Sequence, residues 1–154
     1  MKKDFTRDYA TEMFRLYAAA GRPTYEQARE EIYQAELNLY SGGDPSSSVS
    51  RAEAAVEDAT PYLLDLHAVD RTIAILHKGQ RQHIVQAVEA VYFVQPNLPL
   101  RRGEISNRVR RFAACCPSDE RTVYRWLREA RLLCAAIRGL RIADIDADRY
   151  SIEL

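Results

Sequence analysis

The sequence predicts an all-α protein, a helical bundle with a C-terminal helix-turn-helix and a short β tail. Three observations predict it. Apolar residues return at steps of three and four through most of the chain, the period of a helix with one buried face. Prolines, glycines and capping residues fall between those periodic runs. Only the end of the chain, where Tyr150, Ile152 and Leu154 alternate, has the two-residue period of a strand. At 154 residues the chain is long enough to bury one core.

The first helix is expected over Phe5 to Ala20, with Phe5, Tyr9, Met13, Leu16, Tyr17 and Ala20 as its apolar stripe and Gly21 and Pro23 as its stop. Thr24 and Gln27 have the spacing of a capping box and open the second helix. Its stripe is Ala28, Ile32, Ala35 and Leu39, flanked by Tyr25, Tyr33 and Tyr40. The short connection predicts that residues 1–40 form an antiparallel hairpin. Residues 41–48, SGGDPSSS, are expected to be a linker, because glycine, proline and serine hydroxyls all compete with regular structure.

A helical bundle follows over 49–143. A short helix is expected from about Ser50 to Ala59. Thr60 and Pro61 then restart a helix as N-cap and first helical residue, with Leu63, Leu66, Val69, Ile73 and Leu76 inside and Gly79 as C-terminal cap. Gln80 to Val94 buries Ile84, Ala87, Val88, Val91 and Tyr92, and Pro96 and Pro99 end it. Within 103–140, Gly103 and Glu104 open a helix with Ile105, Val109, Phe112 and Cys116 inside. A connection over Ala113 to Pro117 leads to the last helix, capped by Ser118 or Asp119.

The zero net charge conceals an uneven distribution. Residues 1–70 carry 7 basic and 13 acidic side chains, residues 71–143 carry 14 and 5, and the acidic tail 144–154 carries 1 and 4. A basic middle between acidic ends suits a polyanion-binding surface better than evenly mixed charge does. Three cysteines, an odd count with Cys115 and Cys116 adjacent, argue against a disulfide framework and for a reducing cytoplasm. The lysines of the N-terminus precede no apolar run, so no membrane association is expected.

The last helix carries the strongest functional signal. Val123, Trp126, Leu127, Ala130, Cys134 and Ile137 share one face, and Arg121, Arg125 and Arg128 stack on the opposite one. Guanidinium groups in a row repel unless water or phosphate screens them, and each can grip guanine or phosphate with two donors. Thr122 and Tyr124 flank that row, and Asn107, Arg110 and Arg111 lie away from the core stripe of the preceding helix. Double-stranded DNA is therefore the expected partner. The competing expectation is that these arginines are solvated or pair with acids elsewhere in the chain.

GEISNRVRRFA followed by SDERTVYRWLREAR resembles the promoter-reading C-terminal helix-turn-helix of bacterial sigma factors and the RinA- and ArpU-type phage transcriptional regulators. The likeness covers about a quarter of the chain. It implies that the first helix braces the DNA backbone and the second enters the major groove. Arg121, Thr122, Tyr124, Arg125 and Arg128 are thereby implied at the reading face, with Arg110 and Arg111 toward phosphates. The connection over Ala113 to Pro117 lacks the usual glycine and is longer than the family's turn. RNA polymerase contact is among the implied partners. Initiation-factor activity is not, because the N-terminal half lacks a matching polymerase-binding pattern. The expected function is sequence-specific transcriptional regulation of phage or mobile-element type, by a homodimer joined through the N-terminal hairpin. The alternatives are a small terminase-like packaging protein and a helical protein-interaction module.

No catalytic, cofactor or metal site is expected. Asp144, Asp146 and Asp148 begin like a calcium loop, but Arg149 stands where glycine is needed and the closing glutamate is missing. His67, His77 and His83 share no ligand spacing, and no phosphate loop, nucleophile elbow or carboxylate pair is present.

Overall fold

The computed structural model of the chain describes residues 5–39 and 44–140. Among these the fold is all-α, with seven helices: α1 (Phe5–Ala19), α2 (Tyr25–Leu39), α3 (Pro45–Asp58), α4 (Thr60–Lys78), α5 (Gln82–Tyr92), α6 (Glu104–Cys115) and α7 (Glu120–Arg138). The expected β tail and acidic segment lie outside the described residues. The core forms where α4, α5 and α7 meet, around Leu63, Leu66, Val69, Ile84, Val88, Val91, Val123 and Leu127, all fully buried. Each such side chain contributes roughly 1.5–3 kcal/mol when taken out of water.

The two N-terminal helices do not form the expected hairpin. Helix α1 packs on α4, α7 and α5, whereas α2 packs on α3 and α4. The capping box at Thr24 forms as expected: Gln27 N–H donates to Thr24 Oγ1 at 3.2 Å and Thr24 N–H to Gln27 Oε1 at 3.0 Å. What redirects the chain is Gly21, at φ 86, followed by Arg22, at φ 59. These two left-handed residues turn α2 away from α1.

The buried face of α1 is also rotated from the expected one. Ala10, Met13, Phe14 and Tyr17 are buried, while Tyr9 and Leu16 are 41% and 37% exposed. Phe14 decides the rotation: it stacks on Tyr92 with ring centroids 5.4 Å apart, and Phe93 closes the cluster at 6.5 Å from Phe14 and 5.8 Å from Tyr17. Tyr9 instead sits at the rim, where its hydroxyl donates to Asp65. On α2, Ala28 is buried and Ile32 half-buried, but Ala35 is exposed and Leu39 is 73% exposed. The helix outruns the core it packs on.

The expected linker is shorter than 41–48, because α3 begins at Pro45. Asp44 caps it, accepting from Ser46 N–H at 3.2 Å and from the Ser46 hydroxyl at 2.9 Å, and Pro45 occupies the first helical position. Helix α4 follows after Ala59 alone, so Thr60 is a helical residue and not the cap. At the other end of α4, Gly79 has φ −80 and Gln80 takes the left-handed position at φ 59. Arg81 N–H then reaches back to the Leu76 carbonyl at 2.8 Å.

Between α5 and α6 the chain is tied to α1. The Arg15 guanidinium, on the buried side of α1, donates to the carbonyls of Pro96 and Leu98 and to Glu12. Arg22 covers Phe93 at 4.7 Å from its ring centroid, a cation–π contact that seals the aromatic cluster. The first residues after α5 are thus held against α1 and the turn that follows it.

Candidate nucleic-acid interface

Helix α6 opens at Gly103, whose φ of 80 needs glycine, and the Glu104 carboxylate accepts from Arg101 N–H at 3.1 Å. It then runs through Cys115, so Ala113, Ala114 and Cys115 are helical and the expected long connection does not exist. Only Cys116, Pro117, Ser118 and Asp119 join the two helices. Cys116 takes an extended conformation, and Pro117 prevents the helix from resuming. Asp119 is the N-cap of α7: it accepts from Thr122 N–H at 2.7 Å. Hydrogen bonding from the Thr122 side chain and then from its backbone N–H, joined by the nearby Arg121 and Arg125, holds the Asp119 carboxyl below the usual carboxylate value.

Burial divides α7 into two parts. Val123, Leu127, Ala130, Cys134 and Ala135 face the core throughout. On the opposite side, Glu120, Arg121, Tyr124, Arg125 and Arg128 are exposed, and none of residues 129–138 is. From residue 129 to 138 the helix is covered on every side, while its N-terminal half keeps a bare face on the side away from Val123 and Leu127. At 100° per residue, Arg121, Arg125 and Arg128 fall within about 60° of one another on that face.

The arginines of this region fall into two groups. Arg108, 8% exposed, donates to the Val91 carbonyl at 2.8 Å and lies 3.9 Å from Glu104. Half-buried Arg131 donates to the Tyr92 hydroxyl at 2.7 Å, and Arg138 donates to Asp65 at 2.7 Å. The Asp65 hydrogen bond pushes the Arg138 pKa up, and burial, followed by Asp65, raises that of Tyr9. These three are part of the scaffold. Arg111, Arg121, Arg125 and Arg128 are exposed and make no ion pair or side-chain hydrogen bond among the described residues.

The expected site residues are placed as follows. Arg121, Tyr124, Arg125 and Arg128 share the exposed side of α7, and Thr122 is half-buried in its first turn. Asn107, Arg110 and Arg111 are exposed on α6. Two contacts bring the helices' exposed sides together: Arg110 Nε lies 3.5 Å from Glu120, and the Tyr124 hydroxyl donates to Ser106 Oγ at 3.3 Å. Asn107 and Arg111 make no such contact with α7 among the described residues. Both partners of the Arg110–Glu120 pair are more than half exposed, so it contributes little and is readily exchanged.

Sequence reasoning missed Arg108, Arg131 and Ser106. Arg108 could have been found, since it lies one turn after Glu104 and beside Val109 on the buried side. Among the described residues no group of His, Cys, Asp or Glu could hold a metal ion, and no helix is long and apolar enough to cross a membrane. No family model, curated protein or solved structure matches the chain.

Proposed function

We propose that the chain is a helix-turn-helix DNA-binding protein that regulates transcription, with α7 as the helix that enters the major groove and α6 as the brace across the backbone. One observation carries this reading: Arg121, Arg125 and Arg128 stand exposed and without an ion-pair partner on the N-terminal half of α7, while Arg108, Arg131 and Arg138 are hydrogen-bonded internally. From Arg121 to Arg128 the row spans about 10 Å along the axis, at 1.5 Å per residue, within a major groove about 12 Å wide. Arg110 and Arg111 on α6 supply the phosphate contacts that set register. The resemblance to phage transcriptional regulators supports a phage or mobile-element setting; a homodimer rests on the gain in affinity that pairing gives a single helix-turn-helix, without the N-terminal hairpin as its contact.

Selection of bound sequences from random duplex DNA tests the proposal. A recovered motif supports regulation. Bulk binding without a motif replaces it with a packaging role, and absence of binding replaces it with an interaction module that grips an acidic protein.

A further inference from the structure

A cavity of about 360 Å³ lies between α1, the segment after α5, the start of α6 and the middle of α7. Leu100, Ile105 and Leu127 give it an apolar wall, and Tyr92, Tyr124 and Arg131 give it a polar one. At about 30 Å³ per water, it has room for a small organic molecule, at the lower end of the usual range for ligand pockets.

The charges at the cavity are unevenly satisfied. Asp8 and Glu12, on its α1 side, are 62% and 69% exposed and screened by water as well as by Arg7 at 3.7 Å and Arg15 at 3.3 Å. Arg131 is half-buried, and its partner is the neutral Tyr92 hydroxyl; no carboxylate lies within ion-pair distance of it among the described residues. A guanidinium withdrawn from water gains most from a charged acceptor with two oxygens. Tyr92 takes only one of its five donors.

We propose that this cavity binds a small amphipathic carboxylate, with the carboxylate paired to Arg131 and the apolar body against Leu100 and Ile105. Tyr124 lines the cavity and is also 41% exposed beside the arginine row. Filling the cavity therefore alters the surface next to Arg121, Arg125 and Arg128. That consequence rests on the DNA-binding reading; the binding site does not.

The test is a titration of the full chain, without DNA, with 3-phenylpropionate, 3-phenylpropan-1-ol and 3-phenylpropylamine, followed by calorimetry and by backbone amide shifts. The expected result is saturable one-to-one binding of the carboxylate, about tenfold or more tighter than the alcohol, with shifts at Tyr124, Leu127 and Arg131. Arg131→Met abolishes that preference and Arg131→Lys keeps part of it. Equal affinity for alcohol and acid, tighter binding of the amine, shifts confined to another region, or no saturable binding overturns the site. Where Arg131→Met fails to fold, the comparison of the three compounds on the native chain decides. Unchanged duplex affinity with the cavity saturated overturns the coupling to α7.

Discussion

Arg108 Nη1 donates to the Val91 carbonyl at 2.8 Å, tying the first half of α6 to the last turn of α5 through a guanidinium that is 8% exposed. Val91 belongs to the C-terminal turn of α5, whose carbonyls have no intrahelical partner. Arg108→Met removes the donor and leaves that oxygen buried. The expected loss is about 1–3 kcal/mol in urea unfolding at unchanged m-value. Arg111→Met, on the exposed side of the same helix, is expected to stay within about 0.5 kcal/mol.

The cap of α7 depends on the charge of Asp119. Its folded pKa is lowered, chiefly by the Thr122 hydrogen bond, so its contribution to stability is present above the ordinary value of 3.8 and lost as pH falls through the lowered folded value. Asp119→Asn keeps an acceptor and loses this acid dependence, whereas Asp119→Ala loses both. Thermal melts of the three proteins across pH 2 to 7 check the order.

Much of this was legible in the sequence, for reasons that differ along the chain. The stripes of α4 to α7 are carried by Leu63, Leu66, Val69, Ile84, Val88, Val109, Val123 and Leu127, strongly apolar residues with no polar handle, and all eight are fully buried. The face of α1 was misplaced because Tyr9 is amphipathic and satisfies its hydroxyl at the rim through Asp65. Fully buried Ala10 gives too weak a signal to compete. Asp44 and Pro45 carried a helix start inside an apparent linker, the same cap-and-proline logic applied to Thr60 and Pro61. The pairing of α2 with α3 had no local signal, because which helix covers which is settled by tertiary packing. At the interface, the arginine row was visible as a face. That Arg108 and Arg131 belong to the scaffold was not, since their partners lie on α5.

The thiols should separate by accessibility. Cys134 is fully buried, and burial pushes its thiol up to about 12. Cys115 is exposed and Cys116 is half-buried at the turn. A disulfide reagent at pH 8 is expected to label Cys115 first, Cys116 more slowly and Cys134 only on unfolding. Because the folded Cys134 keeps its proton while the unfolded thiol ionises from 9.0, stability falls as pH rises from there toward 12. Fast native labelling of Cys134 contradicts its placement against α4.

The two helices of the interface should fail differently. Arg125→Ala is expected to cost about 1–3 kcal/mol on a selected duplex and to relax base preference at one position. Arg110→Ala, with its exchangeable Glu120 partner, should weaken all sequences alike and reduce the salt slope by about 1. Competition titrations with single-base variants of the duplex separate these outcomes.

DNA binding by the exposed face of α7, as proposed, is tested most directly by one comparison. Wild type and the Arg121→Ala, Arg125→Ala, Arg128→Ala triple variant are titrated onto a duplex recovered by selection, with anisotropy read at about 50 and 200 mM salt. The prediction is salt-dependent specific binding by wild type, lost in the triple variant while its melting temperature stays unchanged, since all three side chains are exposed. Equal affinity of the two proteins for that duplex would contradict the claim.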